Sequence, residues 1–257
     1  SGKFNSKFDL KENKIKYLLL KSDLDFFQKN IVEMKGTALH EFAFKLSNTL
    51  KVLNYDYSTD GKIEEAKILL KENIKSKIFE KTINTIYFQK TALKINLNKK
   101  NKNSLILEGN YKTNNSEYKK FKVLNNLNFK NSDFTVELNL SENIFIDLIN
   151  FKSNKKKNGT LKSRFIFGNN GLEIRSFEFN EEKNEIKVKN LKINKKNQID
   201  QLKNIKIHTF KDGSKNNDFE ITFGKKIVIK GQKYDATYLL NQLTSNEESG
   251  LLKKINK

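Results

Sequence analysis

The sequence predicts a mostly β protein: a long antiparallel meander sheet, strongly twisted or curved into a groove, with one or two short helices. Three features point there. Apolar residues recur at every second position in one short segment after another, which is the period of a half-buried strand. The segments are joined by short polar connections, as hairpins are. The chain holds no proline, a residue that would delete a backbone donor wherever it fell in a ladder.

Phe4, Phe8 and Leu10 start the alternation, and Asn13 marks a turn before a second strand over 15–20. Residues 31–38 read as a further strand and 42–46 as strand by parity, though their length admits helix, with His40 near a hairpin between them. Asp60-Gly61 is a turn signal between strands at 53–57 and 63–70. The second of these is open between two states. Its Glu64-Glu65-Ala66-Lys67 centre favours helix by propensity, whereas Ala66, Ile68 and Leu70 share one strand face.

From Thr82 onward the alternation settles. It places Leu93, Ile95 and Leu97 on one face of a strand, then Leu105 and Leu107, then Phe134, Val136, Leu138 and Leu140. Leu161 with Phe165 and Phe167 follows, then Phe219, Ile221 and Phe223, then Ile227 and Ile229. Polar turns at 98–103 and 168–171 separate such strands. Residues 141–151 are open between a Ser141-capped helix and an Ile/Phe-rich strand. Asp235 is an N-cap for a helix over 236–243, where Leu239, Leu240 and Leu243 form one stripe. These elements predict one elongated β domain over 1–243, admitting a subdivision near 80–90, and a polar linker or tail over 244–257.

Only 36% of the residues are apolar and 31% are charged, which disfavours a deep spherical core and suits an extended, thin architecture. Fifty Lys and Arg against thirty Asp and Glu leave +20, a charge that draws a chain toward polyanions or anionic membranes. The lysines, however, fall along polar strand faces and turns, where a solvated surface accounts for them. There is no cysteine, so neither disulfides nor thiolate metal sites arise. The chain opens Ser1-Gly2, lacks a signal-peptide apolar core, and has no apolar run near the eighteen residues of a membrane span. It reads as an excised or processed soluble piece.

Little in the sequence suggests catalysis. His40 and His208 are its two histidines; His208 sits on the polar parity of its strand, and His40 lacks a ligand-spaced partner. Carboxylate groups such as Asp23 with Asp25, or Glu181, Glu182 and Glu185, read as solvated charge, the second as a hairpin turn. Walker, GxGxxG and GxSxG patterns are missing. Basic strands interleaved with Phe and Tyr also describe nucleic-acid stacking sheets, but here the aromatics share parity with Leu, Ile and Val, which points to core or lipid-facing surface. The expectation is therefore no enzyme, no cofactor, no metal and no specific nucleic acid.

Residues 224–240, Gly-Lys-Lys-Ile-Val-Ile-Lys-Gly-Gln-Lys-Tyr-Asp-Ala-Thr-Tyr-Leu-Leu, resemble a recurrent element of bacterial AsmA-like proteins of the YhdP group. In that element a strand ends in Gly, an aromatic-Asp pair follows, and a short Leu-Leu helix closes the unit. Residues 61–68 and 189–194 are similar to the hairpin phrases that fill those proteins. The resemblance implies a periplasmic segment of a large inner-membrane-anchored envelope protein, whose groove conducts phospholipids between inner and outer membranes. It implies no catalytic residues. Phospholipid acyl chains and the remainder of the parent protein are the partners it suggests, with the sixteen strand residues from Leu93 to Ile229 named above, Leu161 apart, as candidate groove lining. The alternative is a self-packed basic β scaffold that serves assembly or binds an anionic partner.

Overall fold

A computed structural model of the chain describes residues 1–10, 30–74, 79, 81–99, 103–127, 131–154, 156–168, 171–196 and 198–244. The strand expected over 15–20, the Asp23/Asp25 pair and the linker beyond 244 lie outside the described residues. Among the described residues sixteen strands run in chain order: β1 (Gly2–Leu10), β2 (Asn30–Leu46), β3 (Val52–Ile74), β4 (Ile83–Asn98), β5 (Asn103–Thr113), β6 (Lys119–Leu127), β7 (Asn131–Asn139), β8 (Phe145–Ile146), β9 (Phe151–Lys152), β10 (Thr160–Gly168), β11 (Gly171–Glu181), β12 (Asn184–Ile193), β13 (Ile199–Gln201), β14 (Asn204–Lys211), β15 (Ser214–Phe223) and β16 (Ile227–Lys233). A 3-10 turn, Asp147–Ile149, precedes β9, and one helix, α1 (Thr237–Thr244), follows β16.

Fourteen strands form a single antiparallel sheet. Its order follows the chain from β1 to β7, continues through β10, β11, β12, β14 and β15 to β16, and hangs β13 on β12. The path ends at β1 on one side and β16 on the other, so the sheet is open and not a barrel. The meander and, among the described residues, the one short helix are thus as the sequence predicts.

Two local expectations are overturned. Asp60-Gly61 makes no turn: β3 passes straight through it, with Gly61 opposite Ala38 on one side and Leu93 on the other. A Cβ at Gly61 would stand 3.1 Å from both the Ala38 Cβ and the Thr37 carbonyl oxygen, so glycine is there for close approach to β2. Nor is there a hairpin at His40, which sits within the uninterrupted β2 and faces Thr59. Residues 63–70 are strand, because pairing on both sides overrides their helical propensity.

The register carries one largely apolar face from strand to strand. Residues opposed in an antiparallel ladder share a face. Leu97 opposes Tyr57, while Leu93 and Ile95 oppose Leu107 and Leu105. Val136 lies between Val123 and Ser163, and Phe134 opposes Phe165. Ile221 lies between Ile205 and Ile229, and Phe223 opposes Ile227.

The opposite face is charged in register. Lys122 pairs with Glu108 on one side and Glu137 on the other; Lys162 opposes both Glu137 and Glu178; Lys187 opposes Glu178 and Lys206; Glu220 opposes Lys206 and Lys230. Ion pairs form along this row, including Lys122–Glu108 at 3.0 Å, Lys162–Glu137 at 3.4 Å and Lys206–Glu185 at 3.1 Å. Each such exposed pair contributes only about 0.2–1 kcal/mol. Their larger effect is on register, since a one-residue slip would turn every apolar side chain outward.

Bulges bend the strands. The pairing steps past Glu64 in β3, Arg175 in β11 and Asn216 in β15, leaving an extra residue on one side each time. An unpaired extra residue bends its strand and sharpens the local twist, which curves a sheet.

Between β7 and β10 the chain makes an excursion across one rim of the sheet. Residues 141–151, left open between helix and strand by the sequence, are mostly neither; they hold the two-residue β8–β9 pair and the 3-10 turn. Their base is pinned by the Leu140 amide on the Gly159 carbonyl, 2.8 Å, and by Ser153, whose hydroxyl accepts the Ile144 amide at 2.7 Å. Leu140, Ile144, Ile149 and Phe151 pack onto Phe179, Ile186 and Ile207 of the sheet's apolar face. Each fully buried side chain of this kind is worth about 1.5–3 kcal/mol relative to exposure. This capped rim holds a cluster of seven buried apolar side chains.

Candidate functional site

The apolar face is concave. Side chains from β5, β7, β10, β11, β12, β14, β15 and β16, together with the excursion, line a single cleft of about 1200 Å³. Its wall is almost wholly hydrocarbon. Leu138 and Leu161 stand at one flank, Ile174, Phe177 and Val188 in the middle, and Ile205, Ile221 and Ile229 at the other flank. Polar groups enter mainly beneath the cap, as Thr113, Ser141 and Glu142, which bond one another: Thr113 Oγ1 lies 3.1 Å from Ser141 Oγ and donates to Glu142 at 3.4 Å. Tyr111 reaches across β6 to donate to the Asn139 carbonyl at 2.9 Å, and burial pushes its phenol pKa up.

The cap is fastened to the far flank by a buried polar knot. Asn217, fully buried on β15, donates to the Ile149 carbonyl at 2.7 Å and to Thr209 Oγ1 at 2.9 Å, and its oxygen accepts the Asp235 amide at 2.9 Å. Asp235 in turn accepts from Asn150 at 2.9 Å, from Asn216 at 3.3 Å and from the Thr237 amide at 3.1 Å. The Thr237 hydrogen bond is the first cause holding its carboxyl down at about 2. Tyr234 donates to the Leu148 carbonyl at 2.8 Å. The Tyr234-Asp235 pair of the 224–240 phrase is therefore the latch between the edge of the sheet and the cap, and the helix it starts is α1.

All the expected lining residues lie on the concave face. The cleft gathers Leu138, Leu140, Phe219, Ile221 and Ile229. Leu140 is covered by the chain itself within the cap core. Leu93, Ile95, Leu97, Leu105, Leu107, Phe134, Val136, Phe165, Phe167, Phe223 and Ile227 continue the same face outside the cleft. Phe167 and Ile229, 63% and 68% exposed, mark how open the uncapped end is.

The middle of the cleft escaped the sequence reading. Ile174 and Phe177 on β11, and Val188 and Leu191 on β12, all line it although their spacing breaks the two-residue alternation. The break falls at Arg175, passed over in the β10 pairing, and at Asn190, whose φ is +52°. Reading parity separately on either side of each irregularity would have found these four.

Polar candidates sort differently. His208 is on the charged face, 3.2 Å from Asp218, as its parity predicts. His40 is on the concave face, in a row of hydroxyls: Ser6 Oγ lies 2.7 Å from Nε2, and Tyr57 and Thr59 lie 2.8 and 3.2 Å from Nδ1. Sequence spacing did not reveal this cluster, which the β1–β2–β3 register assembles. No carboxylate orients the ring among the described residues, so the triad arrangement of acyl transfer is not formed. Glu181 and Asn184 flank the expected hairpin turn. Glu181 is buried, accepts the Asn154 amide at 2.8 Å, and has its pKa raised by burial; Glu185 lies on the charged face with its pKa lowered by Lys187. Among the described residues no group of three potential ligands could hold a metal ion, and no helix is long and apolar enough to cross a membrane. No family model matches the chain, nor does any curated protein or solved structure.

Proposed function

We propose that the chain is a lipid-binding groove segment of a larger envelope protein. It holds phospholipid acyl chains on its concave face and conducts the lipids, chemically unchanged, between the inner and outer membranes of a bacterium. One observation carries the proposal: a largely apolar face carried from strand to strand across an open sheet, closed by its own chain at one rim and uncovered at the other. Each methylene moved from water onto such a surface contributes about 0.8 kcal/mol. An acyl chain is thus a better occupant than any compact polar ligand. The ion-paired convex face stays in water, so the two faces have separate tasks.

The periplasmic setting and the inner-membrane anchor in the remainder of the parent protein are part of the proposal. They rest on the AsmA-like phrase at 224–240, whose Tyr-Asp pair has a structural task in the latch. No catalytic step, cofactor or nucleic-acid partner enters it.

Lipid retention tests the proposal. Protein purified from bacterial membranes is extracted and its lipids are identified by mass spectrometry. Phospholipid is expected with the native chain and substantially less with Leu138→Glu, provided the variant keeps its β-sheet circular dichroism. A native chain without lipid overturns the reading. If that lipid-free chain also bound polyanions in a salt-sensitive way, the scaffold reading would take its place, and the self-packed cap is what already favours that alternative.

A further inference from the structure

We propose that the uncapped rim docks on an anionic phospholipid bilayer, with Leu50 entering the interface and the lysines of the same rim meeting lipid phosphates. This adds a docking surface to the lipid-groove reading and can fail by itself.

The loop between β2 and β3 supplies the first reason. Leu50 is 78% exposed and has φ +57°, a left-handed conformation that favours glycine or asparagine. A branched apolar side chain there is disfavoured by both backbone and solvent. Yet the loop is tied: the Ser47 amide donates to the Lys51 carbonyl at 2.9 Å, the Leu50 amide to the Ser47 carbonyl at 3.0 Å, and Ser47 Oγ accepts the Thr49 and Lys51 amides. The loop holds Leu50 outward. Phe44, Leu46 and Leu53 beside it, and Phe167, Ile199 and Ile227 farther along the same rim, are exposed as well. The cluster of Leu50 with Phe44, Leu46 and Leu53 is an exposed apolar group of the kind that marks an interaction site.

Charge identifies the partner. The connections 47–51, 194–203 and 224–226 carry Lys51, Lys195, Lys196, Lys203, Lys225 and Lys226, all exposed, against one acid, Asp200, which accepts from Asn194. None of the six is in an ion pair among the described residues, unlike the lysines of the convex face. The capped rim instead mixes Glu117, Glu142, Asp147, Glu182 and Asp212 with its lysines. A second copy packed through this patch about a two-fold axis would set lysine against lysine. An anionic bilayer offers phosphates to the lysines and hydrocarbon depth to Leu50.

The chain has no tryptophan, so Leu50→Trp is a clean reporter, with Leu240→Trp on α1 as its counterpart at the capped rim. Both are mixed with phosphatidylglycerol-containing vesicles, with and without brominated acyl chains, and with pure phosphatidylcholine vesicles. On anionic vesicles the emission at position 50 is expected to shift to the blue and to be quenched by bromine, while position 240 stays unchanged. Lys51→Glu combined with Lys226→Glu, in the otherwise native chain, is expected to weaken vesicle flotation about tenfold or more. Equal quenching at both positions, or no vesicle binding, overturns the proposal. So does a blue shift that grows with protein concentration in the absence of vesicles, which would report self-association. Lipid analysis of the same preparations separates the two proposals: retained lipid without docking removes only this one, and docking without retained lipid removes only the groove.

Discussion

Asp235 shows how one residue can carry a sequence phrase into structure. Its carboxylate joins α1, the cap and β15, and its pKa is held at about 2, below the usual carboxylate range near 3.9. A depressed folded-state pKa contributes stability that is present above the unfolded value and lost as pH falls through the folded one. The native chain should therefore lose stability between about pH 4 and pH 2 relative to Asp235→Asn. The gap in melting temperature between the two should be widest near neutrality, narrow from about pH 4 to pH 2, and close below the folded-state pKa. The same scale separates covered from uncovered positions on one face. Phe179, 1% exposed under the cap, should cost about 3–5 kcal/mol on truncation to alanine. Phe167 on the open end should cost no more than about 0.5 kcal/mol. Urea unfolding of the two variants checks both figures.

At the scale of elements, alternation was legible wherever a strand is regular, and it failed at three kinds of place. Asp60-Gly61 has the composition of a hairpin turn, but the glycine answers a close approach to Ala38, a contact with no local trace in sequence. Irregularities at Arg175 and Asn190 reverse the parity of β11 and β12, which hid the centre of the cleft. The excursion between β7 and β10 could not be assigned because its order comes from tertiary contacts: Ile144 and Ile149 are fixed by Ser153, Asn217 and the core beneath them. By contrast, α1 was legible because its capping carboxylate and leucine stripe are local signals.

For the whole molecule, the decisive feature is an open sheet with an amphipathic division of labour. One face is largely apolar from strand to strand, interrupted by the hydroxyl row around His40, and the other is an ion-paired lattice. The low apolar content seen in the sequence follows from this, since a sheet covered on one face by so little of its own chain needs few residues to fill a core. Among the described residues the lysines divide too, into those paired with glutamates on the convex face and those at the uncapped rim, such as Lys51 and Lys226, in no ion pair. Sequence alternation could establish the two faces. It could not show that a cap covers one end, because nothing in the local pattern distinguishes Leu140, which is covered, from Ile229, which is not.

The most direct test places a benzophenone amino acid, one position at a time, at Phe219, Glu220, Ile221 and Thr222 of β15 in protein bound to phospholipid. Crosslinks to lipid are expected at Phe219 and Ile221, which face the cleft, and not at Glu220 and Thr222, which face away. Equal crosslinking at all four positions, or none at Phe219 and Ile221, would contradict the account.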